Sequence, residues 1–306
     1  MTDRTQFEDR LAELVQAKRS QIVVGLDPDP ASLWPAGSGP AGAAVTASFA
    51  DPTTPAVRAA AAVANHCAAV IEAVADEVVA VKLQVACFER LGAPGWRALE
   101  ETAAAARAAG LLVIADAKRG DIDVSAHAYA QAFLGATLSS YGEIGGLGAD
   151  ALTVNPYMGA DTVAVFAAAA RERHAQIFLL VRTSNPGAAD IEDLDSGGAP
   201  VWEHAARLVT QLGLGAVVGA TQPEHVGRMR ELMPSAVFLL PGVGAQGGTV
   251  AQLAPAFGPA PHLGLVTASR SIVGTGSGSD DPAVAARLSA AQLRESAWAL
   301  GRPAAD

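Results

Sequence analysis

Short runs of β-branched and leucine residues alternate along this chain with longer alanine-rich stretches whose apolar positions recur at helical spacing. The runs predict strands at Gln21 to Asp27, Val78 to Gln84, Leu111 to Lys118, Ala151 to Asn155, Gln176 to Ser184, Gly215 to Thr221, Ala236 to Gly242 and Leu263 to Arg270. Helices are predicted between and after them, at Ala56 to Glu77, Trp96 to Ala109, Val124 to Leu134, Asp161 to His174, Val201 to Leu212, Glu224 to Met233 and Ala283 to Leu300. Eight strand and helix alternations argue for an α/β protein whose parallel sheet closes into a (β/α)8 TIM barrel, one domain over residues 1–306. An open, doubly wound sheet is the alternative. Against it, no G-x-G-x-x-G follows the first strand, and polar residues recur at the C-terminal ends of many strands.

Two segments interrupt the repeat. Pro28 to Pro55 and Pro186 to Pro200 read as long insertions after strands one and five, of a length that serves either as a lid or as a plain surface excursion. The opening segment, MTDRTQFEDRLAELVQAKRS, reads as an amphipathic helix without the uninterrupted apolar core of a signal peptide, so a cytoplasmic chain is expected.

Composition narrows the partners. Half of the 306 residues are hydrophobic and 17% charged, which excludes a disordered chain, and no apolar stretch is expected to reach the roughly 20 residues of a membrane span. A formal charge of −10 disfavours nucleic acid, and neither nucleic acid nor membrane is expected as a partner. Cys67 and Cys87 lie in apolar segments and read as packed thiols. The six histidines are scattered singly, so no histidine-built metal site is expected. A small molecule is left as the default partner.

Charge concentrates where strands end. In VIADAKRGDIDVS, Val113 to Ser125, an apolar run breaks into Asp116, Lys118, Arg119, Asp121 and Asp123. Residues two apart on a strand share a face, so Asp116 and Lys118 point to the side that Leu112 and Ile114 occupy, and Lys82 and Gln84 share a face of the second strand. With Asp27 ending the first strand, three strands bring alternating charges to one rim, where each sign neutralises the other. Lysine is rarely buried without a partner or a task, which singles out Lys82. Asp121 or Asp123 equally reads as a cap for the helix beginning near Val124. At the last two strands, PGVGAQGG (241–248) offers a turn rich in backbone N–H groups and ASRSI (268–272) an arginine, a pairing that suits phosphate.

DAKRGDI (116–122) fits the D-x-K-x-x-D-I signature of orotidine 5′-phosphate decarboxylases, and GLDPDP, VKLQ, RTSNPG, PGVGAQGG and SRSI match in order from the first strand to the eighth. The chain therefore resembles that family, in its longer bacterial form (type 2). The resemblance implies decarboxylation of orotidine 5′-monophosphate (OMP) to UMP in pyrimidine biosynthesis, with no metal or organic cofactor. It implies Lys118 as proton donor to C6, Asp116 beside the departing carboxylate, Lys82 holding that network and the ribose, and Asp27 on a ribose hydroxyl. Asp121, with Ile122 and Ser125, would act in the neighbouring site of a homodimer with shared active sites. Gln246 and Arg270 would hold the 5′-phosphate, and Gln84, Ser184 and Pro241 would line the ribose and base. Two rivals remain: a sugar-phosphate enzyme on the same barrel using Mg²⁺, and a non-catalytic nucleotide-binding barrel.

Overall fold

A computed structural model describes residues 6–35, 54–220, 223–243, 250–276 and 281–301. Within them, eight strands close into a parallel barrel: β1 (Ile22–Leu26), β2 (Ala80–Gln84), β3 (Leu112–Arg119), β6 (Ala151–Val154), β7 (Gln176–Arg182), β8 (Gly215–Val218), β9 (Phe238–Leu240) and β10 (Gly264–Ala268). The order around the barrel is β1-β10-β9-β8-β7-β6-β3-β2. All eight predicted strands are found, their ends shifted by a few residues at most. Two strands outside the barrel, β4 (Ala136–Ser139) and β5 (Gly142–Gly145), form an antiparallel hairpin that the alternation did not reveal.

The helices are α1 (Gln6–Lys18), α2 (Pro55–Val74), α3 (Val85–Glu89), α4 (Ala93–Ala108), α5 (Asp123–Phe133), α6 (Ala160–Glu172), α7 (Val201–Leu212), α8 (Pro223–Leu232) and α9 (Pro282–Gly301). The seven predicted helices between and after the strands correspond to α2 and α4 to α9. The short α3 was not foreseen. Between β9 and β10 the chain forms 3-10 turns (Val250–Phe257 and Pro261–Leu263), and Pro255, inside the first, discourages a regular α-helix.

Strand alternation divides the core into two. Outward positions such as Val24, Val81, Val113 and Ile177 pack against the helices, whereas Val23, Ala80, Ile114, Phe178, Val217, Leu239 and Leu265 fill the lumen. The amphipathic α1 adds Phe7, Leu11 and Val15 to the lumen cluster, with Phe7 set edge-on to Phe178 at 6.1 Å. The expectation that no apolar stretch has the length of a membrane span needs correction: α2 is 20 residues long, and an 18-residue stretch of it has mean hydropathy 1.3, long and apolar enough by length and composition. Its apolarity has a local cause, because Val63, Cys67, Val70 and Val74 are buried between barrel and helices.

Of the two insertions, the first lies largely outside the described residues, while the second packs back on the barrel. Buried Arg182, ending β7, makes a fork to both Asp193 oxygens (2.8 and 2.8 Å), and the Thr183 N–H donates to Glu192.

Candidate active site

The charged strand ends meet. β1, β2 and β3 are neighbours, with Gly25 opposite Lys82 and Gln84 opposite Asp116. The Lys82 ammonium donates to Asp116 Oδ2 at 2.7 Å and to Gln84 Oε1 at 3.3 Å, and stands 3.8 Å from Asp27 Oδ1. Lys118 Nζ donates to the other Asp116 oxygen, Oδ1, at 2.6 Å. One buried carboxylate thus lies between two ammonium groups. Burial alone would raise the Asp116 pKa, but the charges of Lys82 and Lys118 outweigh it and hold the group at about 2. Burial likewise opposes the charge on Lys82, and Asp116 and Asp27 overcome it, raising its pKa.

Lys118 reaches this position by an irregularity, and regular alternation does not account for it. Between Ala115 and Arg119 the pairing of β3 with β6 loses register, and Lys118 has φ +49°, in the left-handed region that side chains rarely adopt. Arg119 secures the strand end by pairing with Glu89 of α3 and lying over the Tyr129 ring of α5.

These groups line a cavity of about 380 Å³ at the C-terminal ends of the strands. Asp27, Lys82, Gln84, Asp116, Lys118, Ser184, Pro241 and Arg270, all named from the sequence, border it. Gln246 lies outside the described residues. Asp121, Ile122 and Ser125 do not border this chain's own cavity; the Asp121 carboxylate accepts the N–H of Ile122, whose side chain is 58% exposed. The reading of Asp121 or Asp123 as a helix cap is corrected: the cap position of α5 is Ile122, which makes no side-chain capping bond, and Asp123 is already helical.

Sequence reading missed part of the lining. Leu180, Val217 and Leu239 form an apolar side, while Thr153, Thr267 and Ser269 add hydroxyls. Carrying the two-residue period through the last five strands would have found most of these. Gly25 leaves room for the Ser269 hydroxyl as it is placed here, since a Cβ on Gly25 would lie 1.8 Å from Ser269 Oγ and would turn that side chain to another rotamer. Among the described residues, no three His, Cys, Asp or Glu side chains converge as a metal site.

The family model described as "Orotidine 5′-phosphate decarboxylase / HUMPS family" matches residues 20–288. The chain belongs to this family. A relative from Rhodopirellula baltica, named orotidine 5′-phosphate decarboxylase, is 42% identical over 225 residues, 70% of this chain and 74% of its own. One of the same name from Roseiflexus castenholzii is 36% identical over 299 residues, 94% of this chain and 96% of its own. The solved structure of Leishmania donovani OMP decarboxylase superposes with TM-score 0.72 at 32% identity, covering 97% of this chain and 98% of that one.

Proposed function

We propose that this cavity converts OMP to UMP and CO2, with Lys118 as the acid that protonates C6 and no metal or organic cofactor taking part. Membership of the family and relatives named for this activity support the reaction; the ladder of Lys82, Asp116 and Lys118 is the observation that carries the mechanism.

Breaking the bond between C6 and the carboxylate leaves an electron pair in an sp² orbital orthogonal to the ring π system, where resonance does not spread it. Stabilisation must come from a fixed charge, and an ammonium aimed at C6 supplies it. The pair then takes a proton from Lys118, CO2 departs, and solvent reprotonates the amine, whose side chain is 45% exposed. Lys82 is placed to keep Asp116 ionised and to reach the ribose beside Asp27, and Asp116 stands next to the leaving carboxylate. Leu180, Val217 and Leu239 offer a surface from which water is excluded. Arg270 is the candidate cation for the 5′-phosphate, Gln246 is named as a second phosphate contact from the family resemblance alone, and Gln84, Ser184 and Pro241 are the candidates for the ribose and base.

The chain acts as a homodimer in this proposal, Asp121, Ile122 and Ser125 serving the partner's site. Support comes from Ile122 and Val124, which leave 58% and 76% of their surface exposed beside Asp121, and from Tyr157 and Met158 at the end of β6. The rival reading, a sugar-phosphate enzyme that uses Mg²⁺, is less suited to a carboxylate already bracketed by two ammonium groups. Incubation with OMP in EDTA separates the readings. Undiminished UMP formation is expected, and a requirement for Mg²⁺ would overturn the metal-free mechanism.

A further inference from the structure

Thr153 lies on β6, across the register break from Lys118, and is 1% exposed. Its hydroxyl oxygen accepts the Lys118 backbone N–H at 2.9 Å, and its hydroxyl proton is donated to Asp116 Oδ1 at 3.0 Å. One small side chain therefore holds the strained backbone of the lysine and the carboxylate that the lysine contacts. No other hydroxyl bonds to Asp116 among the described residues.

We propose that Thr153 is the positioning residue of this site, fixing the left-handed turn at Lys118 and the Asp116 rotamer together so that the ammonium is aimed before substrate arrives. Three features make the hydroxyl specific to that task. First, φ +49° is costly for lysine, and a conformation of this kind persists only where its surroundings over-determine it. The Lys118 N–H is turned out of the regular ladder at the break, and the threonine oxygen supplies an acceptor that the neighbouring strand does not. Second, Asp116 Oδ1 receives both the Lys118 ammonium and the threonine hydroxyl, so the carboxylate plane is set from β6 as well as from β2 and β3. Third, the β-branched threonine has few χ1 choices, which makes the two bonds a rigid pair. The neighbouring residues hold Arg119 through Glu89 and Tyr129, but none of those contacts touches the lysine itself.

This inference rests on the proposed reaction, and the test keeps the two apart. Wild type, Thr153→Val and Thr153→Ser are assayed on OMP, with thermal unfolding and a pH profile of kcat measured in parallel. Valine keeps the shape and loses both bonds; serine keeps the hydroxyl. A misaim of about 1 Å at a reacting group costs on the order of 100-fold, so kcat of Thr153→Val should fall about 10- to 100-fold with KM changed far less. Thr153→Ser should recover to within a few-fold of wild type. If Thr153→Val retains wild-type kcat and pH profile, or if serine gives no rescue while the fold is intact, the positioning role is wrong. If wild type itself fails to turn over OMP, the reaction assigned to the site falls instead. Should Thr153→Val fail to fold, Thr153→Ala and Thr153→Ser compared at equal folded fraction carry the same contrast: a defect confined to the variant without a hydroxyl supports the role, and equal defects refute it.

Discussion

Asp116 is held by two ammonium groups and one hydroxyl, and each contact favours its charged form. Arg270 stands apart from that cluster, exposed just past β10 at the cavity edge, and in the proposed reaction its charge would act on binding and not on bond cleavage. Arg270→Ala should raise KM for OMP by roughly 10- to 100-fold, through loss of charge-assisted contacts worth about 1.5–3 kcal/mol. The same substitution should barely change kcat/KM for orotidine, which lacks the phosphate. Steady-state kinetics on the two substrates decide it, and an equal loss on both would show that Arg270 does not grip phosphate. The charged pair Asp116 and Lys118 was legible in the sequence because charge two residues apart on an apolar strand is conspicuous. The two-residue period puts Thr153 and Thr267 on the lumen face but does not reveal their roles, because threonine is common in strands and its hydroxyl gives no sign of its partner.

At the scale of elements, regular period carried the prediction. The helices and barrel strands have apolar faces of defined spacing, so they were readable, whereas α3, the β4–β5 hairpin and the break in β3 are too short or too irregular to have a period. The tie between the loop after β1 and α2 was equally invisible, since it depends on one histidine. His66 is buried, takes the backbone N–H of Trp34 on Nδ1 at 3.1 Å and meets the Trp34 ring edge-on. Burial lowers its pKa from 6.5 to about 4. Between those values the unfolded chain binds a proton that the folded one refuses, so stability should fall as pH drops through this window. The loss from pH 7 to 5 should approach about 2 kcal/mol, at 1.36 kcal/mol per pKa unit. Denaturant unfolding of wild type and His66→Asn checks it: asparagine can accept the same N–H but does not titrate, so its curve should lack this dependence. Identical pH slopes would place the titration elsewhere.

For the whole molecule, the proposed reaction requires two chains. Lys118 and Asp121 belong to different sites of one dimer if the partner supplies Asp121, so Lys118→Ala and Asp121→Asn should each be inactive alone. A mixed dimer assembles one site with both residues intact, and activity should return on subunit exchange to about a quarter of the wild-type value per chain at equal mixing, since half the dimers carry one good site. Exchange verified by mass without any return of activity would make Asp121 a local residue. The barrel itself, closed below by α1, holds the cavity whichever chain supplies that carboxylate. In the proposed reaction the Lys118 ammonium delivers the proton that completes decarboxylation. Turnover of OMP by Lys118→Ala, measured beside wild type with melting temperatures on both, decides whether it does. A folded protein is expected whose kcat has fallen by a factor of at least about 1,000; near-normal turnover in a folded Lys118→Ala protein would show that the proton comes from elsewhere.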